Sequence, residues 1–215
     1  MKRIPLLFGF CLAALLAFAG SAPALGKGLT LGDPDGHTRK GSEGHTLYRG
    51  PGSSAVPTYR KLASATVCSG ADDASAPIAA QEQAMKCLVN ATREGAGLGR
   101  LTDLRTLDTS AGNKAGDIIR CNSFSHEACG RDFLFWFRRG GYTDARCWWA
   151  GENLAWGTGD LGSPRSIFNA WMHSPPHRAN ILSGQFDQFG ISLRLGGLSG
   201  NGDAHVWVNH FGHHC

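Results

Sequence analysis

The sequence lacks the spacings that mark the common catalytic and metal-binding motifs. No CxxC pair occurs, which removes the usual thiolate zinc sites. No GxSxG turn is present to raise a nucleophilic serine. His126-Glu127 begins like the HExxH helix of zinc proteases, but the position of its second histidine is Gly130, so that motif fails. There is no strong surplus of one charge: 21 basic residues face 17 acidic ones, a net of +4. A nucleic-acid binder would show a basic stripe, so that partner class is not expected. No internal repeat is visible. Beyond the N-terminus no apolar run approaches the roughly 20 residues that span a bilayer, so no transmembrane segment is expected.

What is present begins with an export pattern. Lys2 and Arg3 precede an apolar run from Ile4 to Ala19, and Ala22-Pro23-Ala24 supplies small residues for cleavage after Ala24. Residues 1–24 are therefore read as a signal peptide and the mature chain as secreted. Cys11 follows Phe10, where lipidation needs a small residue, so a lipid anchor is not expected. Loss of Lys2 and Arg3 lowers the net charge to +2. Of seven cysteines, Cys11 leaves with the signal, and six remain: Cys68, Cys87, Cys121, Cys129, Cys147 and Cys215. An even number in an exported chain points to disulfides. The pairing expected is Cys68–Cys87, Cys129–Cys147 and Cys121–Cys215.

Residues 25–64 are rich in Gly, Ser, Pro and charge and carry no sustained period, which predicts a flexible linker. The domain is expected over 65–215. Apolar residues at helical spacing predict helices over 77–94, 101–120, 131–139 and 164–173. Ser163-Pro164 supplies a capping serine and a first-turn proline for the last of these. Alternation of Phe189, Ile191, Leu193 and Leu195 with small or polar residues predicts a strand over 188–195. A second strand over 204–211 follows a long glycine-rich loop, and a third covers 150–156. Helices first and strands later give an α+β domain with a small antiparallel sheet.

Three segments hold polar residues that periodicity does not explain: Ser123-Phe124-Ser125-His126, Gly151-Glu152-Asn153-Leu154, and Ser174-Pro175-Pro176-His177-Arg178-Ala179-Asn180-Ile181-Leu182. Two imidazoles and a carboxylate converging on a cleft can hold a divalent cation with an open position. They can equally form a hydrogen-bonded network in which Glu152 orients a histidine. Both readings stay open. Asn90-Ala91-Thr92 is formally a glycosylation sequon, but its place inside a helix favours an anchoring role for Asn90. Arg93 pairs with a carboxylate or carbonyl near the sheet, or is solvated. His210, His213 and His214 read as a solvated tail tied down by Cys215, with metal binding the alternative. The aromatics Phe133, Phe135, Trp136, Phe137, Trp148 and Trp149 exceed what one short helix buries, and part of them suits a lipid- or glycan-facing surface.

Together with Asn90-Ala91-Thr92-Arg93 and Trp171, the three segments resemble bacterial members of the CAP superfamily: the cysteine-rich secretory, antigen 5 and pathogenesis-related 1 proteins, also called the SCP domain. The resemblance covers about residues 84–212. It implies an α-β-α sandwich whose cleft carries His126, Glu152 and His177, with Ser174 where the family usually places a second acid. It also implies an extracellular binding module for a lipid, glycan or protein ligand, with no assigned catalytic residue; a monomer is expected. The alternative it leaves is a hydrolase using a divalent cation such as zinc on His126, Glu152 and His177.

Overall fold

The computed structural model describes residues 67–215, together with the backbone of three strands before them. Those strands are β1 (Thr30–Leu31), β2 (His37–Gly41) and β3 (Thr46–Arg49). Then follow α1 (Ile78–Gly95), β4 (Thr102–Asp103), α2 (Arg105–Arg120), α3 (Phe135–Arg139), β5 (Trp148–Gly157), α4 (Pro164–His173), α5 (Pro175–Ile181), β6 (Gln188–Leu198) and β7 (Asn201–His214). The strands form one sheet in the order β3-β2-β5-β7-β6-β4, with β1 also on β5. β5 runs antiparallel to β7 and β7 to β6, while β4 is parallel to β6.

Strand alternation divides the core into two layers. Odd-numbered side chains (Ala155, Ile191, Leu193, Trp207 and Phe211) pack with α1, α4 and α5. Even-numbered ones (Leu154, Trp156, Val206 and Val208) pack with Ala111, Ala115 and Ile118 of α2. α3 joins α2 on this second face, where Phe133, Phe137 and Tyr142 enclose Leu107 and Ala150. The result is an α-β-α sandwich, an α+β arrangement as expected. α2 lies so close to β6 that a Cβ on Gly190 would collide with the backbone of Leu107 and Asp108.

Several boundaries shift for local reasons. α2 starts at Arg105 rather than at 101, because the residues before it extend as β4 beside Gln188 and Phe189. The third helix shortens to Phe135–Arg139. Ser163 Oγ accepts from Ser166 N at 3.3 Å, with Pro164 in the first turn of α4. Pro175 then ends α4, since the residue before a proline is driven to extended backbone, and Ser174 has φ −94° and ψ 117°. Proline is tolerated in a first turn, so a new helix, α5, begins at once; this segment carried no helix in the sequence reading. β6 and β7 absorb the glycine-rich stretch expected as a long loop. Their connection is Ser199-Gly200, both at positive φ, as a two-residue hairpin turn requires.

Two expectations need correction. A linker without regular structure was expected over 25–64, yet β1 and β2 pair with β5, and β3 pairs with β2. Backbone pairing needs no hydrophobic alternation, and the edge of β5 not used by β7 offers unpaired N–H and C=O groups. The signal peptide over 1–24 lies outside the described residues. Of the disulfides, Cys68–Cys87 is as expected, but the other four cysteines pair as Cys121–Cys129 and Cys147–Cys215. The turn after α2 brings Cys129 back to Cys121. Trp148 pairs with His214 across the sheet, which leaves Cys147 and Cys215 adjacent.

The outer edge of β6 beyond β4 is closed by side chains. Ile191 N donates to Asp108 Oδ1 at 2.8 Å, and Leu193 N donates to Glu82 Oε1 at 2.9 Å. Lys86 bridges Asp108 to Asp103. Burial alone would lower the Lys86 pKa, but its bonds to Asp103 and Asp108 outweigh that and raise it.

No helix among the described residues is long and apolar enough to cross a membrane.

Candidate functional site

Glu152 lies in the middle of β5 and opposite His210 of β7. Its side chain points toward α2 and is wholly buried. Glu152 Oε1 meets His126 Nδ1 at 2.5 Å, and Oε2 meets His210 Nε2 at 2.7 Å. The other ring nitrogen of His210 meets Ser110 Oγ of α2 at 3.0 Å. Lys114, one helical turn further along α2 and also buried, donates to the carbonyl of His126. Phe137 stacks on the His210 ring at 4.2 Å.

Burial pushes the Glu152 carboxyl upward, but the Lys114 charge and the hydrogen bonds from His126 and His210 outweigh it. They hold Glu152 well below the usual carboxylate range. An ionised carboxylate only accepts, so both imidazoles donate to it. His210 is held below its ordinary pKa, chiefly by burial, with Lys114 and His126 adding to that and Glu152 opposing it. The consistent state is a neutral His210 that donates from Nε2 to Glu152 and accepts at Nδ1 from the Ser110 hydroxyl. Lys114 supplies the counter-charge, so the cluster satisfies the rule that buried charges be paired.

His177 enters differently. It stands in the first turn of α5, and its Nδ1 meets Ser174 Oγ at 2.7 Å. Its carbonyl accepts from Asn153 Nδ2 at 3.0 Å, and Asn180 Nδ2 donates to Asn153 Oδ1 at 2.9 Å. Adjacent strand residues point to opposite faces, so Glu152 faces α2 while Asn153 reaches α5. His126 therefore meets Glu152 directly, and His177 is joined to it one residue removed, through Asn153. Ser174, at the position where an acid was expected, bonds the second histidine with its hydroxyl. It is half-buried, whereas His126, Glu152 and His177 are buried.

Both oxygens of Glu152 are engaged by imidazoles, and among the described residues no group of three or more His, Cys, Asp or Glu side chains is placed to hold a metal ion.

The sequence reading missed His210, Lys114 and Ser110. His210 was placed in a solvated tail, but it lies in β7 and is fully buried. Its signal was alternation: Val206, Val208 and His210 share one face of the strand. For Lys114 the signal was its position three residues after Ala111 and four before Ile118, inside the buried stripe of α2. Two open alternatives resolve. Asn90 is buried and exchanges two hydrogen bonds with Leu101, which makes it an anchor of the loop after α1. Arg93 donates to the carbonyls of Gly99, Ile181, Ser183 and Phe186. Burial lowers its pKa to about 10, with Asp187 opposing. Of the aromatics, Phe133, Phe137 and Trp148 are core, while Phe135 and Trp136 are half-buried under the Arg131 guanidinium.

Comparison with known proteins adds the following. The sequence profile of the Cysteine-rich secretory protein family (CAP) matches residues 79–211. The uncharacterized protein YkwD of Bacillus subtilis is 31% identical over 139 residues, which is 64% of this chain and 49% of that protein. The chain thus spans about half the length of that curated relative. An extracellular protein containing a SCP domain from Bacillus anthracis superposes with a TM-score of 0.50 at 21% identity, over 62% of this chain and 40% of the other. An outer surface protein from Borrelia burgdorferi superposes with a TM-score of 0.50 at 19% identity, over 61% and 90%. At these identities the two structures establish likeness of fold.

Proposed function

Because the chain belongs to the cysteine-rich secretory protein family, we propose that it is an exported, monomeric, non-enzymatic binding module for an extracellular lipid, glycan or protein ligand. The observation that carries this reading is the closure of the Glu152 cluster. Its carboxylate and two imidazoles are buried and bonded to one another, and buried Lys114 donates to the His126 carbonyl. Such a network rigidifies the region it occupies. Ligand contact then falls to the rim, where half-buried Ser174 touches His177. The even set of bridged cysteines supports an oxidising, extracytoplasmic setting. No group of side chains among the described residues supports a hydrolase built on zinc at His126, Glu152 and His177.

The purified chain is to be incubated with lipid and cell-wall extracts, and the retained species identified by mass spectrometry. A defined species retained by the wild type and lost in His177→Ala is the expected result. Retention of nothing from any extract would overturn the reading. So would chelator-sensitive peptidase or nuclease turnover that disappears in His177→Ala.

A further inference from the structure

We propose that Cys121–Cys129 is a thiol-exchange site that an external thiol or dithiol opens from the Cys121 side, releasing the segment that sets His126 against Glu152. The exchange step stands apart from the ligand reading; only its consequence at His126 rests on it.

The bridge joins the residue after α2 to the short turn Ala128–Gly130, with a separation of 8 residues, against 19 and 68 for the other two. A cross-link that closes a shorter loop constrains the unfolded chain less, so opening this bridge costs the fold the least of the three. The closed loop contains His126. Both ends of that loop hold a non-glycine residue at positive φ: Asn122 at 45° and Cys129 at 61°. Side chains rarely adopt this conformation, and it persists where surrounding bonds impose it.

The two sulfurs differ. Cys121 is exposed and Cys129 half-buried. Arg120 Nη2 lies 3.8 Å from Cys129 Sγ. Arg120 also pairs with Asp117, but Asp117 already holds Arg131 through both oxygens at 2.7 Å and accepts from Trp136 Nε1. Two guanidinium groups against one carboxylate leave positive charge beside the sulfur. A cation there stabilises a thiolate and improves Cys129 as the leaving group. The described hydrogen bonds place no guanidinium on a sulfur of the other two bridges. Cys215 is also exposed, but its bridge closes the longest loop.

An external thiolate attacks Cys121 Sγ. The S–S bond breaks, Cys129 departs as a thiolate and then takes a proton. A second thiolate from the reductant attacks the mixed disulfide and frees Cys121. The reductant ends as a disulfide, having given two electrons to the protein sulfurs. With the bridge open, the bonds of His126 to Glu152 and Lys114 stand against the recoil of Asn122 and Cys129.

The test uses the full oxidised chain and limiting reduced glutathione, with timed alkylation and peptide mass mapping. The expected result is a glutathione adduct on Cys121, and labelling of Cys121 and Cys129 before the four cysteines of the other two bridges. In Arg120→Gln the opening should slow roughly three- to tenfold. In the wild type, opening should shift the His126 ring proton resonances. The proposal is overturned if another bridge opens first, if the adduct sits on Cys129, or if Arg120→Gln opens at the wild-type rate. An unmoved His126 resonance would overturn the coupling to Glu152. None of these outcomes depends on whether the oxidised chain retains a ligand.

Discussion

At the scale of single residues, Glu152 and Lys114 divide the work of the cluster. The carboxylate gathers two imidazoles, and the ammonium balances its charge. Removing the carboxylate leaves Lys114 buried without a counter-charge, so Glu152→Leu should destabilise the chain by about 3–5 kcal/mol in urea unfolding. Adding Lys114→Met to that variant should recover at least half of the loss, a coupling that a double-mutant cycle reads directly. Independent, additive losses would show that the two groups do not form one unit. His126, Glu152 and His177 were legible because each is a polar residue in an apolar or loop context. His210 was not, because His213 and His214 beside it suggested a solvated end. Lys114 was not, because a lone lysine on a helix is ordinarily solvated.

At the scale of elements, close approach is the governing feature. α2 rests on β6 at Gly190, so Gly190→Ala forces the helix off the sheet and should cost about 3 kcal/mol. Gly184→Ala, where nothing lies within 4 Å of the added carbon, is the matched control. Equal shifts in urea midpoint for the two variants would refute this account. The helix cores and the three main strands were readable because each follows a single period. The α4–α5 break was not, because Pro175-Pro176 stops one helix and starts the next with the same residues. β4 was hidden because its pairing with β6 is set by tertiary contact and not by its own composition. The cysteine pairing beyond Cys68–Cys87 was hidden because it depends on how β5 and β7 register.

For the whole molecule, the pH dependence of stability follows from two groups of the cluster. His210 is held below its ordinary pKa when folded, so below about pH 6.5 the unfolded chain binds the extra proton and stability begins to fall. Glu152 is likewise depressed; its contribution is complete above about pH 4.3 and is lost as the pH falls further. Both act in one direction. The melting temperature should be level from pH 7 to 8, decline below about 6.5, and drop more steeply below about 4.3. A profile flat down to pH 4 would contradict the assignment. The carboxylates on the rim of β6 carry a different consequence. An extended segment of a second molecule that approached this rim would find the amides of Ile191 and Leu193 already taken by Asp108 and Glu82. It would meet anionic oxygens where it needs hydrogen donors. Sheet growth from one molecule into the next is thereby blocked on this side, so the domain can be crowded in solution without seeding fibrils from its β6 rim.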